Sequence, residues 1–387
     1  KGERMPTYSE KFWKANWDEG LEDLDPQEYE TTFVDMIKEA FEKVPDKTAL
    51  AYLGVDITFK QVDSCANQFA NMLRENGFEK GDVVGINLPN IPEYVISLIG
   101  ALRAGCAISG VSPLLSAEQI KYQLNDLGST GKKVALVTLD AIFAGHIVKI
   151  ANDMPQLKLV VATSVAGFLP KIKQMLGKLL KKIPSGKLTP LAGKTVLDYH
   201  KDVLKTGSTA EVKADVTPDD LGWIQYTGGT TGPPKGAMLS HRNAAHNMLS
   251  INKWLGWEWG KGVLLSGFPM FHIAGLTVCE SAIFFGWTQV LIPNPRDTEH
   301  ICKEMEKYKP TNMANVPSLY QMLMADPKFK ELDHSKLGTC ISAAAPFPKE
   351  SQGELEAIIG EGKLLELYGM TETSPVSTMN PSRGKKK

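Results

Sequence analysis

Apolar positions along the chain fall into two rhythms. Between residues 58 and 76 they recur at helical spacing, with Val62, Ala66, Phe69, Ala70 and Leu73 on one face, and this predicts a helix. Gly77 is placed to end it. Residues 82–88 form a short β-like run closed by a Pro-Asn-Ile-Pro turn; 93–104 return to helical spacing, and 134–139 read as a buried strand. From Asp219 onward, strand-like runs at 221–226, 262–267, 288–292, 312–316, 338–342 and 363–367 alternate with helical stretches. That alternation predicts an α/β layered fold with largely parallel strands. No repeat of ~20–50 residues suggests a solenoid.

One segment departs from the rest. Residues 154–197 carry eight lysines and no acidic residue. Within them Phe168, Ile172, Met175, Leu176, Leu179, Leu180 and Ile183 lie at helical spacing with lysines between, which predicts a basic amphipathic helix. Its apolar face either packs on the domain as an insertion, or docks on an anionic membrane through residues 165–187.

A chain of 387 residues is long enough for two or three lobes. With 43% hydrophobic and 22% charged residues it is not a disordered chain. Lys+Arg total 43 and Asp+Glu 44, a net charge of −1, so no basic field implies nucleic acid. Cys65, Cys106, Cys279, Cys302 and Cys340 are scattered, odd in number and form no C-x-x-C pair. That argues against a disulfide scaffold or zinc site and for a reducing compartment. The start is polar and charged, unlike a secretory signal. The longest apolar stretch, 95–111, is interrupted by Arg103 and glycines and falls short of the ~20 residues a spanning helix needs. The expectation is a soluble, cytoplasmic protein, with peripheral membrane contact through the lysine-rich helix as the alternative.

Four unusual loops each follow a predicted strand, and ligands in open α/β sheets bind beyond the carboxyl ends of strands. The first, Y-T-G-G-T-T-G-P-P-K-G, spans 226–236. Its glycines let backbone amides approach phosphate oxygens, Thr227, Thr230 and Thr231 add hydroxyls, and Lys235 adds a point charge. It is not a Walker A loop, because Gly follows Lys235, and Pro233 and Pro234 donate no amide hydrogens, so the cradle ends near Gly232. A flexible surface turn is the plainer alternative. The second loop, F-P-M-F-H-I-A-G, sets His272 among aromatic and aliphatic neighbours, where a core histidine is the common case. The third, S-A-A-A-P at 342–346, offers a flat slot for a planar ring or simply tight packing. In the fourth, Y-G-M-T-E-T at 368–373, Tyr368 suits stacking on a base, and Thr371 and Glu372 suit phosphate and Mg²⁺. A tyrosine-capped turn with a solvated Glu is the alternative there.

Taken in order, T-G-G-T-T-G-P-P-K-G with the S-H-R-N stretch, F-H-I-A-G, S-A-A-A-P and Y-G-M-T-E resemble the motifs of the adenylate-forming enzymes, and within them the fatty acyl-CoA and coumarate-type CoA ligases. The resemblance extends to T-F-K-Q-V-D at 58–63, K-G-D-V-V-G-I-N-L-P-N at 80–90 and G-A-L-R-A-G-C at 100–106, so it runs from Lys47 to Pro381. It implies two packed α/β lobes with largely parallel sheets plus a smaller β-barrel-like subdomain. Residues 1–381 would form the N-terminal adenylate-forming domain, with 154–197 an insertion, 219–381 the motif-bearing lobe and 382–387 a truncated tail.

The resemblance implies a long- or medium-chain fatty acid–CoA ligase. ATP and the acid form an acyl-adenylate and pyrophosphate, and the CoA thiol then displaces AMP. By the motif match, Thr227, Gly228, Gly229, Thr230, Thr231, Gly232 and Lys235 would cradle the β/γ phosphates. Glu372 would bind Mg²⁺ with the Thr227 hydroxyl as second ligand. Ala344, Ala345, Pro346, Tyr368 and Gly369 would form the adenine site, Thr371 would contact the α-phosphate, and His272 would stand where carboxylate meets acyl pocket. The sequence departs from the pattern at Gly228, where the family usually has Ser, at Leu276, where some long-chain ligases carry a gating Trp, and at Leu367, where Gly is frequent. It also ends before the family's ribose-binding aspartate, hinge and small C-terminal domain with its catalytic lysine. The expectation is therefore a fragment, slow in adenylation and inactive in thioester formation. The competing readings are an aryl acid ligase, a nucleotide or acyl-adenylate-binding fragment without turnover, and a P-loop NTPase, the last disfavoured by the absent G-K-[ST].

Overall fold

The computed structural model describes residues 11, 14–15, 17, 21–180, 183–228 and 232–382, and their strands fall into two open sheets. The first half of the chain supplies β1 (Thr48–Tyr52), β2 (Val55–Thr58), β3 (Val83–Asn87), β4 (Ala107–Gly110), β5 (Val134–Leu139), β6 (Leu157–Thr163) and β7 (Thr195–Asp198). The second half supplies β8 (Leu221–Thr227), β9 (Lys235–Ser240), β10 (Val263–Ser266), β11 (Thr288–Leu291), β12 (Asn312–Asn315), β13 (Thr339–Ser342), β14 (Leu364–Gly369) and β15 (Val376–Met379). One sheet runs β7-β6-β5-β3-β4-β8-β9 and the other β15-β14-β13-β12-β10-β11-β1-β2. Among the named strands of the described residues, antiparallel pairing is confined to β1/β2, β8/β9 and β14/β15, each at a sheet edge. The remaining pairs are parallel, as the alternation predicts. Every residue of β3 and β4 is buried, which is the condition of parallel strands covered on both faces.

Two features differ from the sequence-based expectation. Among the described residues no barrel closes: the antiparallel pairs prolong the sheet edges instead of curling round to meet another edge. The strands after Asp219 are also divided between the sheets. β8 pairs with β4, and β9 follows it, while β1 from the start of the chain pairs with β11.

Helices α1 (Phe33–Lys43), α2 (Phe59–Glu75) and α3 (Pro92–Arg103) lie between the sheets. The largest core joins Val84, Ile86 and Ile108 of one sheet to Leu50 and Tyr52 of the other through Ile37, Phe69 and Leu98 of these helices. α2 begins at a capping box in which Thr58 and Gln61 each accept from the other's backbone N–H. α3 is buried along its whole length. The long apolar stretch from Val95 is therefore this central helix running into β4, and no helix of the described residues is long and apolar enough to cross a membrane. A second core around Leu265, Val290 and Leu323 covers the far face of the eight-stranded sheet. A third covers the far face of the other sheet, where α4 (Ala117–Leu127) packs Leu124 on Val83 and Leu136.

The lysine-rich segment forms α5 (Lys171–Leu179). Its apolar side chains Ile172, Met175 and Leu179 are exposed, so this face does not pack on the domain as an insertion helix ordinarily would.

Candidate active site

The glycine-rich loop is the turn of a hairpin. Thr227 at the end of β8 pairs with Lys235 at the start of β9, and Tyr226 with Gly236. The chain thus passes from strand to strand, without the helix N-terminus that a Walker A loop supplies. α4 pins both stems: the Tyr226 hydroxyl donates to the Asp126 carboxylate at 2.5 Å, and the Tyr122 hydroxyl to the Pro234 carbonyl at 3.0 Å. At Gly228 and Gly232 a Cβ would meet none of the described residues within 4 Å. Lys235 is exposed, and among the described residues the Thr227 hydroxyl reaches only the Lys235 carbonyl, at 3.4 Å. Gly229, Thr230 and Thr231 lie outside the described residues.

The loop after β10 carries His272, and the opposite sheet holds it. Asn90, in the turn after β3, donates to the Phe268 carbonyl and accepts from Met270 N–H, both at 2.8 Å. The Tyr94 hydroxyl of α3 donates to the Met270 carbonyl at 2.7 Å. Gly110, ending β4, abuts the Phe271 backbone so closely that a Cβ would lie 2.2 Å from its carbonyl oxygen. From its own sheet, Asn315 at the end of β12 accepts from Gly267 N–H at 2.7 Å. His272 then caps α7 with extended backbone, φ −105° and ψ 148° (α6, His241–Leu255, precedes α7, Ile273–Phe284). Its ring lies 4.8 Å from Phe271, and partial burial holds its pKa below the ordinary imidazole range. It is accordingly a neutral hydrogen-bonding group near neutral pH.

The third and fourth loops leave neighbouring parallel strands, with Ser342 of β13 opposite Glu366 of β14. Phe347 N–H donates to the Glu366 carboxylate at 2.8 Å and ties them. Ala344, Ala345 and Pro346 are exposed, as is Tyr368 at 62%. Ala344 has φ 70°, a left-handed conformation rare outside glycine that accompanies functional loops when the surroundings fix it. Gly369 has a packing reason, since a Cβ would lie 2.1 Å from the Pro375 carbonyl oxygen. Thr371–Thr373 form a 3-10 turn in contact with both β8 and β9. Asn247 of α6 clamps its exit, donating to the Thr373 and Val376 carbonyls at 3.2 and 2.8 Å and accepting from Val376 N–H at 3.2 Å. Glu372 is exposed.

Thr371 and Glu372 are therefore brought to the glycine hairpin, and Ala344–Pro346 to Tyr368. No hydrogen bond among the described residues joins His272, Lys235, Thr371 and Glu372 to one another. The supporting amides Asn90, Asn247 and Asn315 escaped sequence reasoning. Asn90 belongs to the N-L-P-N stretch, but a lone amide carries no periodicity to set it apart.

An apolar cavity of ≈ 50 Å³ lies behind these loops. Its walls include Phe268 and Ala274 flanking His272, Ala343 before Ala344, and Leu367 before Tyr368. It shares Ile251, Val376 and Met379 with a pocket of ≈ 580 Å³ bounded by Leu21, Leu24 and Trp254.

The sequence pattern of the family described as AMP-binding enzyme matches residues 37–387. The chain belongs to the AMP-binding enzymes. A long-chain-fatty-acid–CoA ligase of Bacillus subtilis (strain 168) is 32% identical to this AMP-binding enzyme over 395 residues, covering 98% of this chain and 66% of that protein. The long-chain-fatty-acid–CoA ligase of Escherichia coli O157:H7 is 31% identical over 364 residues, 93% of this chain and 63% of that one. The chain thus spans just under two thirds of the length of these curated relatives. The crystal structure of a long-chain-fatty-acid–CoA ligase from Archaeoglobus fulgidus superposes with a TM-score of 0.75 at 23% identity, covering 94% of this chain and 69% of that one. At that identity the likeness shows the shared adenylate-forming fold.

Proposed function

We propose that this chain is the adenylating portion of a fatty acid–CoA ligase. The observation that carries this reading is the apolar cavity placed immediately behind three loops whose outward residues suit a nucleotide. Phe268, Ala274, Ala343 and Leu367 line the cavity, while their neighbours His272, Ala344 and Tyr368 face away from the core. A carboxylate held at that boundary has its acyl chain in the cavity and its oxygens toward the phosphates. One carboxylate oxygen attacks the α-phosphorus of ATP, the α–β bridging bond breaks, and pyrophosphate leaves. Alignment and charge neutralisation carry most of such a step.

In this reading the residues from Thr227 to Gly232, with Lys235, hold the β and γ phosphates. Ala344, Ala345, Pro346, Tyr368 and Gly369 make the adenine site, Thr371 meets the α-phosphate, and neutral His272 hydrogen-bonds the carboxylate. The described residues contain no cluster of three or more His, Cys, Asp or Glu that could hold a metal alone. They do place one open carboxylate, Glu372, on the turn against the phosphate hairpin, which fits Mg²⁺ bound by one or two carboxylates and substrate phosphates. When bound, that ion supplies charge neutralisation at the phosphates. In this reading the Thr227 hydroxyl is the second ligand. CoA is the acyl acceptor in the second half-reaction. No disulfide joins cysteines among the described residues, which fits a reducing cytoplasm.

A cavity of ≈ 50 Å³ admits only a short group, since one water already takes ~10–15 Å³ of such volume. A longer chain must pass Ile251 and Met379 into the adjoining pocket. Ile251→Trp is expected to abolish acceptance of long-chain acids and to keep that of short ones. The test is acid-dependent exchange of labelled pyrophosphate into ATP across a series of acids. Exchange that rises with chain length in the native chain and is cut short in the variant supports the proposal. Exchange with no acid of the series overturns it.

A further inference from the structure

We propose that α5 is a docking surface for an anionic lipid bilayer, its apolar face entering the interface while the flanking lysines meet the headgroups. Successive helical residues step about 100° round the axis, so Ile172, Met175, Leu176, Leu179 and the following Leu180 share one face. These five are 70%, 64%, 46%, 76% and 61% exposed. The opposite face carries Gln174 and Gly177, and it is the one fastened to the protein. Gln174 donates to the Gly167 and Leu169 carbonyls at 3.2 and 2.8 Å, and Ile183 folds so closely on Gly177 that a Cβ there would lie 2.2 Å from its Cδ1. Phe168 and Leu169, just before the helix, pack on the main core. The helix is thus tethered by its polar back with its apolar front presented outward, the reverse of a surface helix that serves a core. A contiguous exposed apolar face of this kind marks an interaction site.

Charge selects the occupant. Lys171 and Lys173 border the apolar face on its two sides, and both are exposed. Residues 154–197 hold eight lysines and no acidic residue in a chain of net charge −1, so positive charge is concentrated here. A second copy of the chain would set lysines against lysines. An anionic bilayer offers apolar depth for the five side chains and a negative potential for the lysines. If the fatty-acid reading holds, docking also places the enzyme on the phase where a long-chain acid dissolves; the docking itself does not depend on that reading.

The test is co-sedimentation of the chain with vesicles of phosphatidylcholine alone and of phosphatidylcholine with phosphatidylglycerol. Binding is expected to the mixed vesicles and to weaken with salt. Lys171→Ala with Lys173→Ala should weaken it about 25-fold, at about fivefold per lysine. The triple variant Ile172→Ser, Leu176→Ser, Leu179→Ser should lose it, with an unchanged melting temperature, because those side chains lie outside the core clusters. Both variants should keep pyrophosphate exchange, which separates failure of docking from failure of the proposed activity. No binding to mixed vesicles, equal binding to both kinds, or full binding by the triple variant would overturn the proposal. So would a concentration-dependent dimer that the triple variant loses, which would assign the face to a second copy.

Discussion

Glu280→Gln is expected to stabilise the protein by several kcal/mol at pH 9 and to change it little at pH 4. Glu280 lies on α7 inside the core, 3% exposed, and among the described residues its Oε1 has no hydrogen-bond partner. Burial pushes its pKa up to about 8, and the facing Trp223 offsets only part of that. The sign follows from linkage. Below about pH 4.5 the carboxyl is protonated in both folded and unfolded chains, so folding carries no ionisation penalty. As pH rises the unfolded chain ionises while the folded one holds its proton, and stability falls until pH passes about 8. A pKa held that far up corresponds to roughly 5 kcal/mol at the alkaline end. Glutamine has the shape of the neutral acid and no proton to lose. His241 tilts the acid side oppositely. It is buried against Trp223, accepts from Phe33 N–H at 3.3 Å, and burial lowers its pKa to about 4. Its contribution is present above the unfolded imidazole pKa and is lost as pH falls through about 4. Urea titrations from pH 4 to 9 on the native chain and Glu280→Gln provide the check. Parallel curves at alkaline pH would show that Glu280 ionises freely in the folded state.

Asn90→Ala is expected to be the most damaging single change outside the substrate-facing residues. The side chain is 6% exposed and serves as the amide bridge from the seven-stranded sheet to the loop bearing His272. Its loss strands a carbonyl and an N–H in a buried setting, at about 1–3 kcal/mol each. The loop then rests on Tyr94, Asn315 and the contact with Gly110. A displacement of about 1 Å at a positioned group costs about 100-fold in rate. Stability and pyrophosphate exchange should therefore fall together, whereas His272→Ala should lower exchange with stability nearly intact. An Asn90→Ala chain with native exchange would mean that the loop is held by the other contacts alone.

Element type was largely legible in the sequence, and element placement was not. The six strand runs after Asp219 each appear within two residues of their expected bounds, because a strand buried on both faces reads as a short apolar run whatever its neighbours. For the same reason nothing in Leu221–Thr227 says that it joins β4, nor in Thr48–Tyr52 that it joins β11. β9 was missed because Pro233 and Pro234 read as punctuation, although a strand follows at once. Periodicity showed that residues 168–183 have an apolar face but carries no sign for inward or outward. Gln174 and Gly177, the residues that settle it, stand out only when the tether is seen. In the candidate site, the residues on loops were legible as motifs, since glycines, threonines and a lysine in one stretch are unusual. Their supports were not, because Asn90, Asn247 and Asn315 act through contacts with backbone that lies far away in sequence.

The most direct test of the acyl-adenylate site is calorimetric titration of this chain with non-hydrolysable acyl-adenylate analogues of graded chain length. Binding should tighten as the acyl chain lengthens and should be lost in a Tyr368→Ala, Thr371→Ala double variant. At a ligand concentration 100 times Kd the native chain should also gain ~2.7 kcal/mol of stability. A folded chain that binds none of the analogues, or binds them equally well after both substitutions, would contradict the assignment of the four loops to an acyl-adenylate.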